Sequence, residues 1–587
     1  MKEKQFIADG VDFIRKQFHS LLLSATMTVA IAVILQVSDI VIGGQVFGEN
    51  AVSAINLVTP LITMVFFLGS LLPVGTGIMY NYEIGQKDKE RAYQFSGQAL
   101  ALSCTIGILA CLASFLGEEL YLSAIGTSEL INEYVRAYYK WYRFVFLIFP
   151  IFNIFSELVY ADGDEIISNI SNIVLFVGNI SISLFSVFKI GFSGVGLGSF
   201  LSYTLATGVL ILHFFKKNNS IHFKWHISFP DLVKVIKFSI VDSGQFLFYS
   251  IAFYFLNILM ISGFGEKYLS IATLITTIIE MEIIFQGAGM AITPLISIYR
   301  GEKNSNGIKR VLKYGFTAEI TEGLIVSVIL FVFAGQIPAL VGITSPDLMS
   351  ASSLALRILA LGLVFMALVY LYTSYCIVIE KVFLAVLLTF LANLGIFVPL
   401  AFLFGKIAGL PGIWIGISFA PALSCAVIAL FIRLRYGKKH FPYLIDESTY
   451  DEYSYDIKLT QDNIIKLRDW CGNVLSRYDT DKKVINRVML IIEETYMLAL
   501  QKNKKQISAE TSLYIDDDNI QLLLRHDGEI FDSTNDNADI DSFAAFFVSC
   551  IMEKQKKRAF FITTGYNRVI FEFSRHGQAS ETSLPKQ

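Results

Sequence analysis

Six residues in long apolar runs carry side chains that could bind or move a cation. Asp39 stands in Val37-Ser38-Asp39-Ile40-Val41, and Glu280 and Glu282 stand in Ile278-Ile279-Glu280-Met281-Glu282-Ile283-Ile284. The amides Asn172, Asn179 and Asn257 lie in similar surroundings. A charge at the middle of a membrane helix costs about 2.5–3.5 kcal/mol even on the lenient insertion scale, so it needs a partner, a cavity or a function. A carboxylate so placed suits H+, Na+ or a cationic solute. The plainer reading of any one of them is a polar contact between helices. Asp39 reads as a functional carboxylate. Glu280 and Glu282 are two residues apart, about 200° around a helix, so only one of them can face a given cavity. Asn172 and Asn179 are seven apart, two turns on one face, which extends their reading from helix contact to cavity lining.

These residues need long helices to hold them, and the composition supplies such helices. Of 587 residues 54% are hydrophobic and 17% charged, with a mean hydropathy of +0.57. So much apolar side chain cannot be hidden in one soluble core, and it points to lipid as the solvent. The net charge of −3 offers no basic field for nucleic acid. The six cysteines show no CxxC spacing, so neither a zinc site nor a disulfide framework is expected. Twelve apolar stretches are long enough to cross about 30 Å of hydrocarbon, the first at 18–46 and the last at 411–434. The first is too long for a signal-peptide core and reads as a retained helix. Segments on the N-terminal side of the membrane carry 22 Lys and Arg, whereas the opposite loops hold few, such as Lys189, Lys267 and Lys406. That asymmetry puts both termini in the cytoplasm.

The apolar region is duplicated. Phe47-Gly48-Glu49 recurs as Phe264-Gly265-Glu266, Arg143 as Arg357, and Gly194-Val-Gly-Leu-Gly198 as Gly412-Ile-Trp-Ile-Gly416. Asn257 is the counterpart of Asp39, allowing a one-residue gap. Arg143 and Arg357 read as side chains that snorkel to the surface from the start of a span. Six spans per half make a parallel repeat, with a pseudo-two-fold axis along the membrane normal and a cleft between two bundles. The expected fold is therefore an all-α polytopic membrane protein with twelve transmembrane helices in two six-helix bundles, at 1–225 and 226–440. A cytoplasmic α/β domain at 445–587 follows, where composition turns polar and strand and helix patterns alternate. A duplicated, cleft-forming membrane region suits secondary active transport and no enzyme chemistry. The rivals are a flippase for a lipid-linked precursor, which needs a basic cavity, and a signalling protein whose output is the tail.

The membrane region, about residues 10–435, resembles the multidrug and toxic compound extrusion (MATE) family. The resemblance rests on Val37-Ser38-Asp39 with Gly43-Gly44, on Tyr160-Ala-Asp-Gly-Asp164, on Ile292-Thr-Pro294-Leu-Ile-Ser297 followed by Gly301-Glu-Lys303, and on the repeated glycine segment. It implies a V-shaped pair of bundles that export amphipathic organic cations in exchange for Na+ or H+, with no other cofactor. The family's first-span acidic residue in the coupling site maps to Asp39. Tyr160 stands where relatives carry an arginine, and Ser183 stands where many carry a fifth-span aspartate. The tail resembles a degenerate histidine-kinase-type ATPase domain of the anti-sigma-factor sort. Glu493 in Ile491-Ile-Glu493-Glu494 and Asp527-Gly528 in Arg525-His-Asp527-Gly528 match its boxes. Met497 and Leu498 stand where its magnesium-anchoring asparagine is expected, and Asp541-Ser-Phe-Ala-Ala-Phe-Phe547 replaces its glycine-rich lid. Lost phosphate and Mg2+ ligands make ATP binding unexpected and leave a regulatory role, with a cytoplasmic partner, for the tail.

Overall fold

A computed structural model describes residues 5–7, 12–85, 88–125, 127–162, 164–216, 219, 221–302, 304–445, 450–503, 505–529, 558–563 and 566–576. The chain divides into two compact units. One holds Ala25–Gly289 and Phe316–Arg435, the other Met1–Ser24, Met290–Gly315 and Tyr436–Gln587.

The larger unit is helical, and three of its helices have one end in the stretches 1–24 and 290–315 that belong to the smaller unit. Its first half runs through α1 (Phe13–Phe47), α2 (Glu49–Ser70), α3 (Pro73–Gly85), α4 (Lys89–Ile125), α5 (Glu129–Ala161), α6 (Glu165–Ile190) and α7 (Ser193–Ile211). Its second half runs through α8 (Phe229–Phe264), α9 (Leu269–Met281), α10 (Gln286–Gly301), α11 (Ser305–Phe333), the single turn α12 (Ile337–Leu340), α13 (Pro346–Ala360), α14 (Leu363–Val378), α15 (Val382–Phe390) and α16 (Phe397–Arg435). Among the described residues nine helices are long and apolar enough to cross a membrane, and a tenth is formed if α13 and α14, bent by 47°, make one span. One of the nine, Val382–Arg435, is 54 residues long and breaks at Gly409.

The duplication read from sequence is also a duplication of backbone geometry. Gly48 (φ 76°, ψ −161°) and Gly265 (φ 96°, ψ 161°) end helices at equivalent places. Gly191 (φ 67°, ψ −149°) and Gly409 (φ 66°, ψ −147°) turn the chain in nearly identical fashion. Side chains are all but excluded from that region of φ/ψ space. Just beyond each turn the returning helix touches the outgoing one. A Cβ on Gly194 would lie 2.5 Å from the backbone of Ser186, and one on Gly412 would lie 1.9 Å from the carbonyl oxygen of Phe404. The repeated glycines are therefore the contact points of tight helical hairpins, as expected of small residues in membrane helices.

Arg143 departs from the snorkelling expectation. It is buried, its guanidinium 2.7 Å from Glu118 and 4.3 Å from the ring of Phe115. An acidic partner one helix away satisfies the charge inside the protein, so it need not reach water. Arg357 stays exposed and lies 5.8 Å over the ring of Phe331.

The smaller unit holds a six-stranded sheet in the order β1-β2-β3-β4-β6-β5, made of β1 (Gln5–Ile7), β2 (Asp451–Lys458), β3 (Ser508–Ile515), β4 (Asn519–His526), β5 (Arg558–Thr563) and β6 (Tyr566–Ser574). All neighbours are antiparallel except β1 and β2. Helices α17 (Gln461–Leu475) and α18 (Lys482–Lys502) cover one face, packing on Tyr455, Ile457, Leu513, Leu522 and Phe571. The N-terminal strand, paired Gln5 to Ser454 and Ile7 to Asp456, was not expected from sequence, because three residues carry no periodic signal.

Gly191→Ala and Gly409→Ala should each lower stability by about 1–3 kcal/mol, the cost of forcing a side chain into that backbone conformation. The check is the thermal midpoint of the detergent-purified protein. Midpoints unchanged in both variants would contradict the turn geometry.

Candidate functional site

A cavity of about 140 Å³ lies inside the larger unit, lined from both halves. Asp39 and Glu280 are the acidic residues on its wall, and among the described lining residues there is no Lys, Arg or His. Aromatic side chains line it from both halves, with Tyr138, Tyr142 and Tyr203 from the first and Tyr249, Phe246 and Tyr370 from the second, beside isoleucines and small polar residues.

Asp39 is held by donors from three other helices. Ser199 Oγ on α7 donates to Oδ2 at 2.7 Å, Tyr138 Oη on α5 donates to the same oxygen at 3.1 Å, and Asn179 Nδ2 on α6 donates to Oδ1 at 3.2 Å. Behind them, Ser38 Oγ donates to Asn179 Oδ1 at 2.6 Å, and Asn179 Nδ2 also lies 3.0 Å from Ser199 Oγ. The hairpin turn at Gly191 and the contact at Gly198 bring Ser199 to this place. A Cβ on Gly198 would lie 1.9 Å from Ser183 Oγ. That contact also explains why serine stands at 183: the buried side chain faces a glycine with no space for a carboxylate. The cluster thus gathers carboxylate, amide and hydroxyl oxygens around one acidic group, the donor set that hard monovalent cations and protons favour.

The other sequence candidates separate. Glu280 faces the same cavity as Asp39. Glu282, in a 3-10 turn (Glu282–Phe285) after α9, lines a void of about 20 Å³ inside the second half with Asn393 and Ser418. Asn257 is not beside Asp39. It accepts a hydrogen bond from Asn56 Nδ2 at 2.7 Å, and Thr276 donates to Asn56 Oδ1 at 3.2 Å, so it joins α8 to α2. Asn172 is exposed and lies outside the cavity. The buried stripe of α6 steps by four from Ser171 to Leu175, Asn179 and Ser183. Each such step drifts about 40° around the helix, so seven residues below Asn179 the covered face has turned away from Asn172.

Ser199 and Tyr138 were missed by the sequence reading. Serine and tyrosine are common in membrane helices, and nothing in their spacing marks them as ligands of Asp39. The Tyr160–Asp164 motif serves a structural purpose instead. Asp162 and Asp164 each lie 2.8 Å from a ring nitrogen of His213, and Lys216 lies 2.6 Å from Asp164. Lys216, then His213 and the amide of Ile167, hold the Asp164 carboxyl down at about 2 against the effect of burial. The motif thereby ties the start of α6 to the end of α7. The side chain of Tyr160 lies outside the described residues.

In the tail, Glu493 pairs with Arg468 at 2.9 Å. Asp527 accepts the amide of Ser508 at 2.8 Å and lies 2.5 Å from Lys16 Nζ. Gly528 gives its carbonyl to Asn567 Nδ2 at 3.2 Å. Glu493, Asp527 and Gly528 are thus each engaged within the protein. Residues 541–547, in place of the lid, lie outside the described residues. The likeness of the tail to an ATPase domain gains no support from the described residues.

The model of the MatE family matches residues 25–185 and 244–403, the two halves of the duplicated region. The chain belongs to the MatE family. It is a multi-pass membrane transporter, not an enzyme. Multidrug export protein MepA of Staphylococcus saprophyticus is 23% identical over 413 residues, spanning 68% of this chain and 89% of that protein. The probable multidrug resistance protein YoeA of Bacillus subtilis is 22% identical over 429 residues, spanning 68% and 90%. A solved MatE-fold structure, described as the inward-facing conformation of a multidrug resistance MATE family transporter, superimposes with a TM-score of 0.65 at 22% identity, over 72% of this chain and 99% of that one. A MOP superfamily transporter from Pyrococcus furiosus superimposes with a TM-score of 0.60 at 20% identity.

Ser183→Asp should lower the thermal midpoint sharply and Ser183→Ala should leave it within a few degrees, since only the former needs α6 and α7 to part at Gly198. Equal midpoints for the two variants would show that the contact at Gly198 is looser than described.

Proposed function

We propose that this transporter exports amphipathic organic cations in exchange for Na+ or H+, with the carboxylate of Asp39 as the group that the coupling ion and the substrate contend for. The observation that carries the reading is the cavity wall: two carboxylates and seven aromatic side chains, with no basic residue among its described lining. Such a wall attracts a flat cation by charge and by cation–π contact. It opposes the anionic head of a lipid-linked precursor, which disfavours the flippase reading. The names of the MepA and YoeA relatives point the same way.

A volume of about 140 Å³ is too small for a drug-sized solute, because ligand pockets of that class run to about 300–1,000 Å³. Loading therefore requires the halves to part, as rocking of one repeat against the other would allow. We assign twelve spans to this architecture, six in 1–225 and six in 226–440. Val382–Arg435 supplies two of them by reversing at Gly409, and α1, 35 residues long, supplies the first. The lysine and arginine asymmetry supports assigning both termini, and with them the domain at 445–587, to the cytoplasm.

In vesicles loaded with DNA, uptake of ethidium under an imposed Na+ or H+ gradient should be lost in Asp39→Asn, reduced at least tenfold in Glu280→Gln, and retained in Asn172→Ala. Full transport by Asp39→Asn would remove the coupling role. Transport under neither gradient by the wild type would remove the organic-cation reading.

A further inference from the structure

The smaller unit has a cavity of its own, about 320 Å³, lined by the polar face of its sheet and by the first turns of α11. That size falls within the range of small-ligand pockets, about 300–1,000 Å³. Strand register explains the space. Ser454 on β2 pairs with Ser512 on β3, between the rows Glu452–Tyr514 and Asp456–Glu510. Two short side chains between two rows of long ones leave a hollow above the strands. On the α11 side, Gly307 adds no side chain to fill it. The exposed Asn306 and the half-buried Ser454 belong to the lining, so the hollow reaches solvent.

The charges around this hollow do not balance. Arg310 bonds Asp456 at 2.7 Å and Asp12 at 2.8 Å. Arg525 bonds Glu510 at 2.8 Å and pairs with Glu302, which Arg568 reaches at 2.7 Å. Asp12, Glu302, Asp456 and Glu510 thus share the guanidinium groups of Arg310, Arg525 and Arg568. Glu452 accepts the amides of Ser305 and Asn306, both at 3.1 Å, and no basic side chain among the described residues pairs with it. Glu510 Oε1 lies 3.9 Å from Arg310 Nη1, too far for a hydrogen bond. Asp456 is fully buried, and its Oδ1 has no hydrogen-bond partner among the described residues. Burial, then the neighbouring Glu510, pushes the Asp456 carboxyl above the usual carboxylate range. Buried carboxylates short of positive charge are costly, and a bound cation relieves that cost.

The lining decides which cation. Among the described residues no three acidic, His or Cys side chains converge as metal ligands do. A bare metal ion would also leave most of the volume empty. No aliphatic side chain lines the hollow, in contrast to the Asp39 cavity with its isoleucines, so a hydrophilic solute suits it. Glu452 and Glu510 stand four residues apart in the register, about 13 Å along the strands. A short carbon chain with a charge-assisted hydrogen bond at each end covers such a span. We propose that this cavity binds a small hydrophilic organic cation with an ammonium group at each end, a linear diamine, one end on Glu452 and the other on Glu510. The ligand touches α11 itself at Asn304, Asn306 and Gly307, so its binding holds the first turn of that helix to the sheet. The site is separate from the Asp39 cavity, and the proposal does not depend on what that cavity carries.

Calorimetric titration of cadaverine into the purified full-length protein tests it. Cadaverine should bind with a Kd below about 1 mM, whereas pentanediol and glutarate, of the same chain length, should not bind. Ser454→Leu, which fills the hollow from its half-buried edge, should weaken cadaverine at least tenfold, and Asp39→Asn should leave its affinity unchanged. Hydrogen exchange on the wild type needs no variant to fold: cadaverine should slow amides 304–308 at least fivefold and leave amides 520–524 as they were. No cadaverine binding, equal binding of pentanediol or glutarate, or exchange at 304–308 that ignores cadaverine would each overturn the proposal. Binding lost in Asp39→Asn and kept in Ser454→Leu would overturn it too, because the diamine would then sit in the Asp39 cavity.

Discussion

A carboxylate in a membrane helix has to be solvated by protein, and most of the first half can be understood as the means of doing this for Asp39. The donors come from α5, α6 and α7, and they converge because α6 and α7 form a hairpin whose helices nearly touch. Gly191 supplies the turn, and Gly194 and Gly198 remove the side chains that would hold the helices apart. Ser199 then follows directly on the contact glycine and points its hydroxyl at Asp39. With bulkier residues at those glycines, α7 would stand off, and the carboxylate would face an apolar wall with fewer donors.

The two halves share this scaffold but not its chemistry. Gly409 and Gly412 repeat the hairpin in the second half, with the same turn and the same close approach. Yet Asn257, the counterpart of Asp39, spends its hydrogen bonds on Asn56 and serves as glue between the halves. The second half sends acid to the cavity from another helix, through Glu280. Duplication thus fixed the architecture, whereas the charge was placed independently in each copy. The cavity is two-sided: Asp39 sits in a nest of hydroxyl and amide donors, and Glu280 lines the same space from the second half.

Much of this was legible in the sequence wherever a residue conflicts with its surroundings. Asp39 and Glu280 stand out because charge is costly in an apolar run, and the glycine segments stand out because they recur. What could not be read was partnership across helices. Ser199 and Tyr138 look ordinary in one dimension. Arg143 looks like a surface charge until Glu118 is seen beside it. Asn172 shares a nominal face with Asn179, but the buried stripe drifts around the helix between them. Glu302 and Arg525 stand in motif segments far apart in sequence, and nothing local shows that they pair with each other in a buried site.

Whether one carboxylate serves both the coupling ion and the substrate is tested by equilibrium binding of ethidium to the purified full-length protein, titrated against Na+ at fixed pH and against pH at fixed Na+. If both ligands compete for Asp39, ethidium affinity falls as one of these cations rises, and the affinity of that cation falls by the same factor when ethidium is bound. Asp39→Asn should abolish the dependence. Ethidium affinity in the wild type that is indifferent to both Na+ and pH would contradict a shared site at Asp39, because no exchange of cation for substrate could then pass through it.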